Sequence, residues 1–172
     1  MNDSEQGDSL ISSTDPQSLY LLRLNSAHLA EVSRLEGLCH PDPWTCESFI
    51  SEFEADFSVA FGLFEGQNLA AMIFFWLIPP ENHLLNLAVD PLFQRRGLGS
   101  RLMKVMIKVS SEAGCRNFFL ECRENNLPAQ KLYQGFGYRL SGVRKGYYQN
   151  GEDALVMRLN LPNRKRPPKR SM

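Results

Sequence analysis

The sequence predicts an α+β fold, in which a mixed β-sheet carries helices on its faces. Three observations lead to this prediction: seven strand-like runs, four helix-like runs between them, and a glycine-containing loop that joins a strand to a helix near the middle of the 172-residue chain. The predicted order is β-α-α-β-β-β-α-β-α-β-β. The sequence has no internal repeat, and its length fits one domain.

The first half of the chain predicts one strand, two short helices and a hairpin. Leu19 to Leu24 reads as the strand, and Ser26 is a suitable N-cap for the helix that follows. After a proline-containing break, Thr45 is a second candidate N-cap. Two apolar runs, Phe57 to Phe64 and Leu69 to Leu77, flank a short polar turn and predict an antiparallel hairpin.

The second half predicts four more strands and two more helices. A helix from Leu98 to Ala113 has apolar residues at helical spacing and ends before Gly114, which fits the position after a C-cap. Asn126 is the candidate N-cap of a shorter helix that ends near Gly135. The remaining strands are predicted at Leu84 to Val89, Phe118 to Cys122, Tyr138 to Lys145 and Ala154 to Leu161.

Charge is balanced over the whole chain but uneven at its ends. Lys+Arg and Asp+Glu both total 19, so no global charge bias indicates nucleic acid or membrane as a partner. Residues 1–18 contain acids and no Lys or Arg, whereas residues 162–172 form a basic tail. We expect both ends to be disordered, with a single folded domain at 19–161. The tail either contacts RNA through phosphate charge or has no specific role.

The sequence shows neither a membrane segment nor a targeting signal. No apolar stretch reaches the roughly 18 to 20 residues that a membrane helix needs, and the N-terminus lacks the basic and apolar regions of a secretory signal. We therefore expect a cytoplasmic protein without a membrane partner. The cysteines have no C-x-x-C spacing, so we predict buried reduced thiols and no metal site; they are Cys39, Cys46, Cys115 and Cys122.

The strongest functional signal is the loop Gln94-Arg95-Arg96-Gly97-Leu98-Gly99, between a predicted strand and a predicted helix. Backbone amides at a helix start, exposed by glycines, attract an anion such as a pyrophosphate. A lone G-x-G is also found in ordinary strand-to-helix turns. A dinucleotide fingerprint would need a third glycine three residues after Gly99, where the sequence has none, and no G-K-[ST] follows for a Walker loop.

The loop and the preceding Leu87-Ala88-Val89-Asp90-Pro91 together resemble the acetyl-CoA motif of the GNAT superfamily of N-acetyltransferases. The resemblance covers residues 19–161 and implies the GNAT fold, a central mixed, mostly antiparallel, twisted sheet of about seven strands with about four helices on its faces. Within this superfamily, the sequence most resembles the RimI type, the ribosomal-protein alanine N-acetyltransferases. Further segments carry this similarity: His40 to Trp44, Leu120 to Arg123, Asn126, Leu132-Tyr133, Gly135 to Tyr138, Arg144 to Tyr148 and Glu152 to Ala154.

The resemblance implies acetyl-CoA as co-substrate and assigns residues to its binding. Backbone amides of the loop would hold the pyrophosphate, with Arg95 or Arg96 adding charge, although exposed arginines are usually solvated surface. The strand before the loop would offer amides to the pantetheine and to the thioester carbonyl. Asn126 would contact the coenzyme, but an N-cap role explains it equally well. The full set is Leu87, Ala88, Val89, Arg95, Arg96, Gly97, Leu98, Gly99, Ser100 and Asn126.

Two residues match the family's catalytic pair. An N-terminal amine has a reference pKa near 7.7 to 8.0, so most of it is protonated at neutral pH. A nearby carboxylate can accept the proton that the ammonium must lose. The resemblance implies that Glu121 is this base; the structural alternative is an ion pair with Arg123 or Arg116. Tyr133 matches the proton donor to the departing thiolate, and its structural alternative is a core aromatic beside Leu132.

The acceptor is less readable from the sequence. The resemblance implies the N-terminal α-amine of a protein, most simply the alanine of a small-subunit ribosomal protein. We expect the protein to be a monomer. Trp44, Tyr147 and Tyr148 would border the acceptor groove, or else serve as hydrophobic covers. Two alternatives stay open: the same chemistry on another N-terminus, a lysine or a small amine, and a non-catalytic module that binds acyl-CoA.

Overall fold

The structure, a computed structural model, describes residues 18–162, which form one seven-stranded sheet and four α-helices. The strands are β1 (Leu19–Arg23), β2 (Ser58–Glu65), β3 (Asn68–Ile78), β4 (Glu81–Val89), β5 (Asn117–Arg123), β6 (Arg139–Arg144) and β7 (Ala154–Asn160). The helices are α1 (Leu29–Cys39), α2 (Cys46–Glu54), α3 (Leu98–Glu112) and α4 (Leu127–Gly135). The predicted order of elements is confirmed, whereas the predicted disorder of the two tails falls outside the described residues.

The sheet is mixed and mostly antiparallel, as predicted. Its strands lie in the order β1-β2-β3-β4-β5-β7-β6, and β4 with β5 is the parallel pair within the described sheet. A parallel pair needs a crossover connection, and α3 supplies it. The crossover therefore places the start of α3 just beyond the end of β4, with residues 90–97 as the connecting loop.

Two apolar cores cover the two faces of the sheet. Successive side chains of a strand point to opposite faces, and along β3 the buried Ile73 and Phe75 belong to the core under α3, whereas Met72 and Phe74 belong to the core under α1 and α2. The long apolar run of this strand is thus explained by burial on both sides.

The start of the first helix differs from the prediction. Asn25, not Ser26, is the cap: its side chain accepts a hydrogen bond from the Ala27 amide (3.0 Å), and its own amide donates to Nδ1 of His28 (3.2 Å). A short 3₁₀ turn precedes α1, which begins at Leu29. Asparagine and serine are both good caps, so the sequence alone did not distinguish two adjacent ones.

The other two predicted caps are confirmed. Oγ1 of Thr45 accepts the amide of Ser48 at the start of α2 (3.2 Å). At the start of α4, Oδ1 of Asn126 accepts the amide of Ala129 (3.2 Å). Both helices are short, so their caps contribute a sizeable share of their local stability.

Strand β4 begins at Glu81, three residues before the predicted Leu84. Polar residues in this segment concealed the strand, and one of them, Asn82, is fully buried. Its amide nitrogen donates to Oγ of Ser110 on α3 (2.9 Å). This buried hydrogen bond joins the crossover helix to the strand before it.

We predict that Ser110→Ala lowers the free energy of unfolding by about 1 to 3 kcal/mol, because the buried Asn82 amide loses its acceptor. Urea denaturation followed by circular dichroism measures this change. Ser111→Ala is the matched control, since Ser111 is less buried and its Oγ donates to the carbonyl of Lys108 within the same helix; it should change stability by about 0.5 kcal/mol or less. Equal losses in the two variants would contradict the prediction.

Candidate active site

The candidate site lies where β4 and β5 separate. The two strands pair from Glu81 with Asn117 to Leu84 with Leu120, and there the pairing ends. At this point the register of β4 against β3 shifts, so that Leu85 is an extra residue in β4. β5 continues along β7 and β4 along β3, which opens a wedge between them.

The wedge leaves the three β4 residues that the sequence nominated without a described strand partner on one side. Leu87, Ala88 and Val89 pair with β3 on one side and with no described strand on the other. The carbonyl of Val89 accepts the thiol of Cys39 and the side-chain amide of Gln94, each at 3.3 Å. Unpaired backbone groups at a strand edge must find a partner, so this edge is suited to a ligand that runs along it.

The loop after β4 leads into helix α3, whose N-terminus has no side-chain cap. Arg95 and Gly97 both have a positive φ, 62° and 75°, in the left-handed region that favours glycine. Gly97 is the N-cap of α3 and makes no side-chain hydrogen bond to the first turn. A Cβ atom at Gly97 would meet no atom within 4 Å. The amides of Leu98, Gly99 and Ser100 therefore begin a 15-residue helix without a side-chain cap, and the positive end of such a helix is a favourable site for an anion.

The two arginines of the loop differ in their contacts. Arg96 binds Oε1 of Glu65 on β2 (2.7 Å) and its guanidinium lies 5.3 Å from the centroid of the Phe93 ring. Arg95 is exposed and forms no ion pair within residues 18–162. Of the pair, Arg95 is thus the one whose charge is free to meet an anion.

Gly99 marks a close approach of three elements. A Cβ atom here would lie 3.3 Å from Cδ2 of Leu132 on α4 and 3.8 Å from Cγ2 of Val89 on β4. Glycine therefore lets α3, β4 and α4 meet at the mouth of the wedge. Asn126 lies at the start of α4, where its side-chain oxygen serves as the N-cap; a contact with a ligand stays a prediction.

Tyr133 lies on α4 and is 7% exposed. Its ring centroid is 6.1 Å from that of Tyr138. Burial, with smaller contributions from Cys122, Tyr138 and Tyr148, raises the pKa of the Tyr133 phenol far above its usual range. The hydroxyl therefore keeps its proton throughout the neutral range, as a proton donor must. Tyr133 also belongs to the core under α3, so the two interpretations of this residue are compatible.

Glu121 lies on the other face of β5 from Tyr133. The neighbours Leu120 and Cys122 face the core that contains Tyr133, so Glu121 points to the opposite side. The carboxylate forms an ion pair with Arg144 on β6, whose Nη1 lies 2.9 Å from Oε1, and the Glu121 side chain is 28% exposed. A group that passes through the wedge would thus meet Tyr133 on one side and Glu121 on the other.

The predicted structural partners of Glu121 are wrong. Arg123 pairs with Asp42 and Glu152, and Arg116 donates to backbone carbonyls at the start of β5. Hydrogen bonding to Glu121, with a smaller effect of burial, instead raises the pKa of Tyr147. Glu121 therefore stands among residues of β6 and the loop that follows it.

The three aromatic residues nominated for the acceptor groove have different environments. Trp44 is half-buried against Phe49 and Phe74, with ring centroids 5.3 and 5.8 Å away, so it covers the core under α1 and α2. Tyr147 is 49% exposed beside Glu121. Tyr148 is half-buried, and burial raises its pKa to about 12. Tyr147 is thus the most accessible of the three.

Sequence reasoning assigned no role to two other charged residues of this region. Arg144 is the partner of Glu121. Glu36 of α1 is buried, and its carboxylate accepts the backbone amide of Trp44 (3.1 Å) and the side-chain amide of Asn86 on β4 (2.8 Å). The position of Glu36 next to Leu35, beside the apolar stripe of α1, was the sequence feature that could have indicated its burial.

The cysteines correct one expectation. Cys46 is exposed on α2, contrary to the predicted burial of all four, whereas Cys115 and Cys122 are buried and Cys39 is half-buried. In residues 18–162 no three His, Cys, Asp or Glu side chains are grouped to hold a metal ion. No helix in this part of the chain is long and apolar enough to cross a membrane.

Comparison with known proteins supports one family. The model of the acetyltransferase (GNAT) family matches residues 29–138. The [ribosomal protein bS18]-alanine N-acetyltransferase of Escherichia coli (strain K12) is 31% identical over 141 residues, which cover 80% of this chain and 95% of that protein. The similarity therefore extends over nearly the whole relative.

Solved structures agree with this result. The crystal structure of the ribosomal-protein-S18-alanine N-acetyltransferase from Escherichia coli has a TM-score of 0.80 at 29% identity, and the match covers 87% of this chain and 98% of that one. Arabidopsis thaliana NAA60 in complex with acetyl-CoA has a TM-score of 0.76 at 17% identity, covering 83% and 98%, and shows the fold alone. The chain has the GNAT fold, and it belongs to the GNAT family of acetyltransferases.

Proposed function

We propose that this protein transfers an acetyl group from acetyl-CoA to the N-terminal α-amine of a protein, namely the N-terminal alanine of a small-subunit ribosomal protein. The observation that carries the proposal is the wedge between β4 and β5, which connects the uncapped start of α3 on one face with Glu121 on the other. The name of the Escherichia coli relative supports the acceptor. We place the reaction in the cytoplasm and propose that the enzyme acts as a monomer.

The proposed coenzyme site fits a pyrophosphate and an extended thiol arm. The amides of residues 97–100 and the exposed Arg95 would hold the phosphates, with Arg96 available if its ion pair with Glu65 opens. Leu87, Ala88 and Val89 would bind the arm through the free edge of β4. A bound acetyl-CoA supplies the activated acyl group. We propose no metal.

The proton transfers fall to the two side chains on either side of the wedge. Glu121 would accept the proton that the acceptor ammonium must lose before it attacks. The ammonium would take the place of the exposed Arg144 guanidinium at the Glu121 carboxylate. Tyr133 would donate a proton to the departing thiolate. Amides of β4 would stabilise the negative charge on the acetyl oxygen.

We predict that the purified protein acetylates peptides that begin with alanine, because the exposed Tyr147 lies beside Glu121 and the name of the Escherichia coli relative specifies an alanine acceptor. Intact-mass analysis and thiol release with acetyl-CoA measure this transfer on peptides beginning Ala-Arg, Met-Glu and Ser, and on a lysine peptide with a blocked N-terminus. Preference for the Ala-Arg peptide supports the proposal. Transfer to the blocked peptide would move the acceptor to side chains, and coenzyme binding without any transfer would indicate a non-catalytic acyl-CoA-binding module.

We predict that Glu121→Gln lowers kcat by about 10² to 10⁴ near neutral pH, because the ammonium loses its proton acceptor. The deficit should shrink above about pH 8, where the acceptor amine is already deprotonated. Steady-state rates from pH 6 to 9.5 and the Kd for acetyl-CoA, expected to stay within twofold, measure the effect. Glu124→Gln is the control, since Glu124 is exposed on the next turn. A uniform deficit at every pH would remove Glu121 from the role of base.

We predict that Tyr133→Phe lowers kcat about 10²-fold, because the ring stays in place but the thiolate loses its donor. Tyr138→Phe is the matched control: Tyr138 is 2% exposed, and its buried hydroxyl has no hydrogen-bond partner in the described chain. Removing an unpaired buried hydroxyl should keep the rate and leave stability equal or higher. Rate measurements and thermal melts of both variants test this, and equal rates for Tyr133→Phe and wild type would reassign the acid to water.

A further inference from the structure

Arg123 connects two loops that the sheet does not join. It is the last residue of β5, two positions after Glu121 and therefore on the same face. One loop, residues 40–45, runs between α1 and α2, and the other, residues 145–153, runs between β6 and β7. We name these the acceptor loops. Arg123 is largely buried between them, with 17% of its side chain exposed.

Each acceptor loop offers Arg123 a carboxylate. Nη2 donates to Oδ2 of Asp42 in the first loop, and Nη1 donates to Oε2 of Glu152 in the second (3.0 Å). The guanidinium also lies 3.7 Å from the ring centroid of Tyr148 in the second loop. A planar fork with separate donors can bind two carboxylates and stack on an aromatic ring at once, whereas a lysine ammonium is a single point charge.

The second acceptor loop is also attached to the segment that follows β5. Oε1 of Glu152 accepts the backbone amide of Asn125, just after β5 (3.0 Å). The first loop has two separate attachments: buried Glu36 holds the amide of Trp44, and Asp42 reaches Arg123. Without Arg123, the carboxylates of Asp42 and Glu152 would face each other with no cation between them, and like charges repel.

We propose that Arg123 is a positioning residue that holds the two acceptor loops at a fixed separation above Glu121 and thereby sets the affinity for the acceptor. This inference rests on the proposed function, because it assigns the loops to acceptor binding. Arg123 touches neither coenzyme nor reacting atoms in this scheme. Its effect passes through the position of Tyr148 and of the loop that carries Tyr147, beside the base.

The test compares Arg123→Gln and Arg123→Lys with the wild type and with Arg116→Gln as control. Arg116 precedes the other end of β5, and its guanidinium donates to the carbonyls of Ser111 and Cys115. We expect Arg123→Gln to raise the KM for the Ala-Arg peptide at least tenfold, while the Kd for acetyl-CoA stays within twofold. Arg123→Lys should raise that KM at least threefold, and Arg116→Gln should leave both constants unchanged.

A second readout does not depend on catalysis. Amide hydrogen exchange should become faster in both acceptor loops of Arg123→Gln, at residues 40–45 and 145–153, and not in the loop before α3. A peptide KM that stays at the wild-type value, full rescue by lysine, or equal losses of peptide and acetyl-CoA affinity would each overturn the proposal. So would faster exchange in only one loop.

The two readouts also separate this inference from the proposed function. If the wild-type protein acetylates no N-terminal peptide, the proposed function fails, and hydrogen exchange alone decides whether Arg123 holds the loops together. If the wild type acetylates the Ala-Arg peptide and Arg123→Gln keeps its KM, the proposed function stands and the role of Arg123 is wrong.

Discussion

The structure depends on a single failure of strand pairing. β4 and β5 remain hydrogen-bonded for four residue pairs, from Glu81 with Asn117 to Leu84 with Leu120, and then diverge where the bulge at Leu85 alters the course of β4. Backbone groups left without partners inside a sheet are costly, so the divergence persists because each strand keeps its other neighbour. The site is therefore built from an edge in the middle of the sheet.

In the proposed function, that interior edge lets groups from opposite faces act on one reaction. The start of α3 and Tyr133 belong to one face, whereas Glu121 and the acceptor loops belong to the other. A coenzyme and an acceptor can thus approach from different sides, each in its own electrostatic environment. Helix amides and Arg95 supply positive potential for phosphates, while carboxylates on the far side suit a cationic amine.

Much of the fold could be predicted because the local signals agreed with one another. Apolar runs, the Thr45 and Asn126 caps and the loop around Gly97 all marked their elements. Two of the errors involve polar groups whose partners lie far along the chain, whereas the Asn25 cap and the exposed Cys46 have other causes. The polar Asn82, which is buried, concealed the first residues of strand β4. Glu121 pairs with Arg144 because of the order of the strands in the sheet, which no local sequence pattern reveals. The roles of the site residues came from the resemblance to a family and not from a local pattern.

The uneven burial of the cysteines has a practical consequence for enzymology. Burial raises the pKa of Cys39 and of Cys122 to about 11, and also raises that of Cys115, so these thiols are poor nucleophiles at neutral pH. Cys46 is exposed at the first turn of α2, next to an acceptor loop. A colorimetric thiol reagent that detects released coenzyme will therefore also titrate about one equivalent of native protein, and the same side chain offers a selective attachment point for a fluorophore that reports movement of the neighbouring loop, residues 40–45.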